Sequence, residues 1–524
     1  MPDYMYVLES RLSAEQRAAM LRAQELAVEA GTNLYLTGGA VRDLVSGMPI
    51  RDLDFTLEGN PTRVTRELEK GGAHVVHEDE KLRQAEFIFT GDVDGSISAA
   101  REDVYARPGT RSEIRWSTIM EDLRRRDFSI NAIALSLNAA SRGLLLDPTN
   151  GLADVEKREV RALSIHSFTN QPVRLLRAIR YAARMDFKLE SRTEEWFALA
   201  LERGLADSIA PDEVGRELRQ LAREEKPAVI LKAWESRGLI GTLHPQLVKR
   251  HPDYEMLARV IRARDEVFAA GLRPRLFGPV IAAVFSRLKG REGTTALQRL
   301  GFRSSEVEAV QHLDAESQKT LKILAGGKTA APRDAYAFLE RTPPHLIVFL
   351  MAEASNAKAL NKVRNYINKW RPLRHALAGA GTELEALGIA RGPKFDRILE
   401  DLFILQLNGK ARTPEDRTKL LRKLAGIKDE PKKKEEKKKS DDKLKKRLMG
   451  KDSKGKPAPA GEAVRPPSGK QAAGSPAPAA PSGSQQQKPA SEGKASPAPS
   501  RAASKKPAEL NKKRPARAAS RPHG

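Results

Sequence analysis

Asp52 and Asp54 stand two residues apart, nine residues beyond the stretch Thr37-Gly38-Gly39-Ala40-Val41-Arg42-Asp43. On a strand, such a pair leaves the same face, so both carboxylates project together. Adjacent carboxylates repel unless cations sit between them, and oxygen ligands of this kind suit Mg²⁺ bound beside substrate phosphates. Gly38 and Gly39 lack Cβ atoms, so backbone N–H groups there can approach a polyphosphate closely. A D-x-D by itself also describes solvated acids on a hairpin edge. With the glycine stretch just upstream, the phosphate-and-metal reading is the better one.

Three further stretches carry chemistry. Glu121-Asp122-Leu123-Arg124-Arg125-Arg126-Asp127-Phe128-Ser129-Ile130-Asn131-Ala132 interleaves charge with apolar residues. That pattern implies a partly buried polar network in which a guanidinium needs a paired acceptor. Asn170-Gln171-Pro172-Val173 leads into Arg174, Arg177, Arg180 and Arg184, which recur every three or four residues as one basic stripe on a helix. Asp147-Pro148-Thr149-Asn150-Gly151 is a turn by composition, with a structural role.

These residues need strands and helices to place them. Leu34-Tyr35-Leu36 is an apolar run entering the glycine turn, and further short apolar segments lie at Asp52–Leu57, His74–Val76 and Glu86–Phe89. Ser13 with Gln16 forms a capping-box signature that opens a helix stopped at Gly31. After Val155 the pattern becomes helical, over Val173–Arg184, Glu194–Glu202, Pro211–Glu224 and Ala228–Ser236, and stays so to about Leu424. No internal repeat has a convincing period.

Charge is unevenly spread over the 524 residues. From Pro431 to Gly524 there are 25 Lys+Arg against 8 Asp+Glu, so +17 of the overall +24 belongs to that segment. Rich in Lys, Ala, Pro, Ser and Gln, it cannot bury enough apolar surface to order itself, and is expected to be disordered. Its excess of cations favours RNA without sequence preference through counterion release; a purely solubilising tail is the equal alternative. There are no cysteines, which excludes disulfides, thiolate metal sites and cysteine catalysis. No signal peptide or run of about 18 apolar residues is evident, so a cytoplasmic protein without membrane contact is expected.

The glycine turn with its D-x-D resembles the nucleotidyltransferase domain of the DNA polymerase beta superfamily. Within that superfamily the chain is similar to the bacterial class II tRNA nucleotidyltransferase (CCA-adding enzyme) and poly(A) polymerase family, from about Leu34 to Leu247. The resemblance implies an α+β protein: a nucleotidyltransferase head with a small mixed sheet and helices, then all-α neck, body and tail domains and a disordered extension. The expected divisions are an N-terminal helical segment (1–32), the head (33–155), a helical neck and body (156–250), a helical body and tail (251–428) and the basic tail (429–524).

The implied activity is addition of CMP and/or AMP from CTP or ATP to the 3′ end of tRNA or another RNA, with two Mg²⁺ held by Asp52 and Asp54. Poly(A) synthesis and a catalytically altered RNA-binding relative are the alternatives. Gly38, Gly39, Arg42, Arg126 and Arg177 are implied to bind the triphosphate and ribose, with Asp127 and Asn131 organising Arg126. The family's Arg-Arg-Asp-Phe-Thr-x-Asn-Ala motif is matched at Arg125–Ala132 with Ser129 in place of Thr.

Two departures stand out. The family's Glu-Asp-x-x-Arg element, which reads the base edge, is matched at Arg174, while Asn170 and Gln171 replace its acidic pair. Gln171 keeps a donor and an acceptor, so base contact survives, with an amide free to flip. On the strand before Arg101, Ser96 stands where relatives often carry an acid, so only Asp52 and Asp54 are assigned to the metal. Pro211–Leu218 resembles the family's last neck motif, in which Arg216 and Glu217 would brace the template helix.

Overall fold

The computed structural model describes residues 3–289, 291–411 and 413–427. The expected basic tail, 429–524, lies outside the described residues. Among them a seven-stranded sheet is formed by β1 (Asn33–Thr37), β2 (Leu53–Glu58), β3 (His74–Asp79), β4 (Gln84–Phe89), β5 (Val93–Ala99), β8 (Ala134–Ser136) and β9 (Leu145–Leu146). Two further strands, β6 (Arg101–Val104) and β7 (Glu113–Trp116), pair into a separate ribbon. The sheet order is β3-β4-β5-β2-β1-β8-β9. β2 runs antiparallel to β1, with Leu36 opposite Phe55, and parallel to β5, with Asp54 opposite Ser96.

Alternation along β2 sorts the two sheet faces. Leu53, Phe55 and Leu57 are fully buried in one core with Leu34, Leu36, Phe87 and residues of the helices Ala14–Glu29 and Thr62–Lys70. Asp54, Thr56 and Glu58 take the opposite face. There Tyr35 packs with Ile119 and Leu123 of the Ile119–Arg124 helix. The Ala14–Glu29 helix has the anticipated start: Ser13 accepts from the Gln16 N–H, and the Gln16 side chain accepts from Ser13 N–H. At its other end Gly31 adopts φ +67°, where a side chain is disfavoured.

From Arg174 onward the described chain is dominated by helices, including Arg174–Met185, Ser191–Glu202, Pro211–Ala222 and Pro227–Ser236, and one apolar core runs from Phe128 to Ala425. Trp234 anchors it, fully buried, with its indole N–H donating to Leu176 O at 2.9 Å.

Two elements carry little apolar signal in the sequence. The helix Tyr4–Arg11 is short and is started by Asp3, whose carboxylate accepts from the N–H groups of Met5 and Tyr6. Strand β5 reads Val-Asp-Gly-Ser-Ile-Ser-Ala, too polar for an apolar signal. Its polar residues face the carboxylate side of the sheet, and Gly95 lies where a Cβ would meet Leu53 O at 2.5 Å.

Gly151 is held as tightly. Asp147 accepts from the N–H groups of Gly151 and Leu152 at 2.8 and 2.9 Å, and a Cβ on Gly151 would fall 2.2 Å from Ser129 O. Gly151→Ala should therefore destabilise the protein by about 1–3 kcal/mol through backbone displacement, measured by urea unfolding.

Candidate active site

β1 ends in the glycine turn because Gly38 takes φ +63°, ψ −124°, a conformation side chains rarely adopt. The helix Gly39–Val45 follows with no side-chain cap, so the turn's N–H groups are not consumed by one. A Cβ on Gly39 would lie 3.7 Å from both Asp52 Oδ1 and Asp54 Oδ2, and one on Gly38 would meet Arg126 Nη1 at 3.0 Å. The paired glycines thus leave open the space onto which two carboxylates and a guanidinium converge.

Ser96, opposite Asp54 in the β2–β5 register, donates its hydroxyl to Asp54 Oδ1 at 2.7 Å. Among the described residues neither Asp52 nor Asp54 forms an ion pair, and no group of three or more His, Cys, Asp or Glu could hold a metal ion. Burial and the neighbouring Asp52 push the Asp54 carboxyl up to about 7, against the opposing pull of Ser96, Arg126 and Arg223. Two crowded, uncompensated carboxylates fit a hard divalent cation whose remaining ligands are phosphate and water oxygens.

Most arginines nearby are, by contrast, matched to an acid. Arg42 is buried, donating from Nε and Nη2 to Asp43 Oδ1 and from Nη1 to Asn131 Oδ1 at 2.8 Å. Arg177 donates to Glu217 Oε1 at 2.7 Å and lies 3.6 Å from Asp127. Arg180 bridges Glu217 and Glu224 at 2.9 and 3.0 Å. Arg184 donates to Asp43 Oδ2 at 2.7 Å. Burial alone would raise Asp127, yet Arg177, Arg174 and the Asn131 amide hold it below its ordinary value. Burial likewise opposes Glu224, and Arg51, Arg180 and Arg184 keep it low. From Arg177 to Arg184 the basic stripe is therefore an internal seam, neutralised by Asp43 and Asp127 of the head, by Glu217 and by Glu224.

The expected organisation of Arg126 is corrected. Its Nε and Nη2 donate to Asp122 Oδ2 at 3.2 and 2.9 Å, and Nη2 reaches Thr56 Oγ1 at 3.2 Å. Asn131 contributes only its carbonyl, at 3.2 Å. The Asn131 side chain instead links Asp127 to Arg42, because the short 3₁₀ turn Ser129–Asn131 points it back toward the glycine helix. Asp122, wholly buried, also binds Arg125. Four residues ahead of Arg126 on one helical turn, it carried a signal in its spacing.

Gln171 is fixed, contrary to the expectation of a freely flipping amide. Arg174 Nε can only donate, so it holds Gln171 Oε1 at 3.2 Å, and Gln171 Nε2 then faces Tyr105 Oη at 3.0 Å. Arg174 is itself tied to Ser167 Oγ at 2.9 Å and to Arg125 O at 3.3 Å. Asn170 Oδ1 accepts from Gly109 N–H at 2.8 Å, so both neutral residues hold the loop between β6 and β7. Glu217 does brace the arginine helix, whereas Arg216 is exposed and pairs with Asp212 of its own helix at 3.1 Å. Glu224, Arg51 and Tyr105 find partners remote in sequence, as Asp43 does in Arg184, and these pairings have no local pattern.

Residues 34–161 match the family model described as the Poly A polymerase head domain. The chain is 26% identical over 400 residues to an A-adding tRNA nucleotidyltransferase of Geobacter sulfurreducens, covering 75% of this chain and 45% of that protein. It is 34% identical over 224 residues to the A-adding tRNA nucleotidyltransferase of Halalkalibacterium halodurans, covering 42% and 52% respectively. A CC-adding tRNA nucleotidyltransferase of Deinococcus radiodurans is 29% identical over 404 residues, covering 75% of this chain and 90% of that protein. The chain spans about half the length of the first two relatives. Among the described residues no helix is long and apolar enough to cross a membrane.

The carboxylate pair makes a metal-free prediction. Asp54 is raised in the folded state, so the folded protein binds the extra proton, and stability falls as pH rises from about 4 through about 7. Asp54→Asn cannot titrate. In EDTA it should be more stable than wild type by a few kcal/mol at pH 8, about 1.4 kcal/mol for each pH unit between the unfolded and folded values. The advantage should shrink as pH falls and disappear only near about pH 4, measured by chemical unfolding across that range.

Proposed function

We propose that the chain is a nucleotidyltransferase of the kind its relatives are, and that it adds CMP and/or AMP to the 3′ end of tRNA, without a nucleic-acid template, in the cytoplasm. One observation carries the reading. Around the glycine turn each arginine has an acidic or carbonyl partner, yet among the described residues Asp52 and Asp54 are left facing an open space with no cation paired to them.

The family works with divalent metals; we assign two Mg²⁺ to Asp52 and Asp54, where they would supply charge for the attacking hydroxyl and the triphosphate. The RNA 3′-oxygen bonds to the α-phosphorus as the bond to pyrophosphate breaks. Backbone N–H groups at Gly38 and Gly39 hold phosphate oxygens, and Arg126 presents its guanidinium to the triphosphate beside them. Arg177 keeps part of its side chain exposed for ribose or phosphate. Arg42, Asp127 and Asn131 position these groups from beneath, since their polar atoms are already committed to one another.

Cytosine and adenine each present an exocyclic amino donor beside a ring-nitrogen acceptor. Arg174 donates to the ring nitrogen, and Gln171 Oε1, held outward by Arg174 and Tyr105, accepts from the amino group with its second lone pair. The identity of the added nucleotide is read by offering tRNAs that end before the first C, the second C or the A, with labelled CTP or ATP. Incorporation on one or more of these supports the proposal. Long A tails on unstructured RNA would instead indicate poly(A) synthesis, and no incorporation anywhere would indicate an altered RNA-binding relative.

Asp52→Ala or Asp54→Ala should lower the single-turnover rate at least about a hundredfold, because ligands of this kind supply several kcal/mol at the transition state, with circular dichroism unchanged. Gln171→Asp should shift the CTP-to-ATP ratio of kcat/KM by about 1–3 kcal/mol, as a base-edge contact does. Arg174→Ala should impair both nucleotides. An unchanged ratio in Gln171→Asp would remove the base-reading role from this residue.

A further inference from the structure

The arginines closest to the carboxylate pair have few donors left. Arg42 is committed to Asp43 and Asn131, and Arg126 to Asp122, Thr56 and the Asn131 carbonyl. Arg223 differs. It ends the Pro211–Ala222 helix, its side chain is 43% exposed, and its one ion pair among the described residues is with Asp94 at 3.0 Å. Its backbone is nevertheless pinned beside the site: Arg51, the residue before Asp52, donates from Nη1 to Arg223 O at 3.1 Å and to Glu224 Oε2 at 2.9 Å.

Asp94 precedes Ser96 by two residues on β5, and so shares the face carrying Ser96 and Asp54. Extending the parallel register one step beyond Leu53–Gly95 sets Asp94 beside Asp52. Asp94 also has a second cation, Arg275 Nη1 at 3.4 Å, which in turn holds Asp92 at 2.5 Å. If Arg223 leaves, Asp94 stays neutralised, and an exposed ion pair is cheap to break. The charge of Arg223 also acts on Asp54, which places its guanidinium within electrostatic reach of the carboxylates.

We propose that Arg223 is a further triphosphate-binding residue of this site, stored on Asp94 in the free protein and transferred to the β- or γ-phosphate when a nucleotide binds. The planar fork suits bidentate contact with phosphate oxygens, and Asp94 serves as the holding point. The inference rests on the nucleotidyl-transfer reading.

The test is equilibrium binding of CTP, ATP, CMP and AMP to the full-length protein with Mg²⁺ and without RNA, so that nothing turns over. Arg223→Ala should weaken CTP and ATP binding about tenfold to a hundredfold while leaving CMP and AMP within about twofold. Arg223→Lys should recover part of the loss, and Asp94→Asn, which releases the arginine, should bind triphosphates at least as tightly as wild type. A simple strut between β5 and the helix predicts otherwise: both variants would lower Tm alike and leave the triphosphate-to-monophosphate ratio unchanged, which would overturn the inference. Weakened triphosphate binding in Asp94→Asn would also overturn it. If wild type itself shows no preference for triphosphates, the nucleotidyl-transfer reading falls and takes this inference with it; if wild type shows the preference and Arg223→Ala retains it, the inference alone falls.

Discussion

Asp43, Asp127, Glu217 and Glu224 meet Arg42, Arg177, Arg180 and Arg184 in a seam of largely buried ion pairs, and this seam sets the arginine helix against the glycine helix at the site. Glu217 accepts from two consecutive turns of the Arg174–Met185 helix, and Asp43 joins that helix to the glycine helix of the head. Such pairs add little net stability over apolar packing, but removing one member strands a buried charge at a cost of about 3–5 kcal/mol. The penalty makes the arrangement intolerant of small shifts. Head and arginine helix are thereby held in one register, which a purely apolar contact would fix less sharply.

Against that background, the exception is informative. A protein that pairs Arg42, Arg177, Arg180 and Arg184 with carboxylates nonetheless leaves Asp52 and Asp54 without cations among the described residues. Their mutual repulsion is tempered only by the Ser96 hydroxyl and by more distant arginines. Such an uncompensated pair of carboxylates fits divalent cations and, through them, a polyanion. With Ser96 in place of an acid, the protein contributes fewer charged oxygens at this point, and a bound cation would depend more on substrate phosphate.

Gln171 shows how a neutral side chain acquires direction. Its two amide ends are chemically distinct, and Arg174, which can only donate, selects which end it meets. Tyr105 receives the other end, so the loop between β6 and β7 and the arginine helix share one hydrogen-bonded chain. An aspartate at this place would have two equivalent oxygens and no such polarity.

Local chemistry was legible from residues alone. A glycine pair in a turn demands unusual backbone angles, a D-x-D on a strand sends both acids to one face, and the capping box at Ser13 and Gln16 starts its helix; each depends on neighbours only a few residues away. The mixed head and helical remainder followed from periodicity. Tertiary structure decided which acid serves which arginine. Asp122 lies four residues from Arg126, but Glu217 lies 40 residues from Arg177 and Asp43 lies 141 from Arg184. A guanidinium's need for an acceptor can be read from sequence; the identity of that acceptor cannot, because it depends on how the elements pack. Strand β5 has no apolar signal of its own for the same reason, and only the resemblance placed Ser96 on a strand: its burial comes from the sheet on either side of it, while Asp94, Ser96 and Ser98 are polar because they face the carboxylate side.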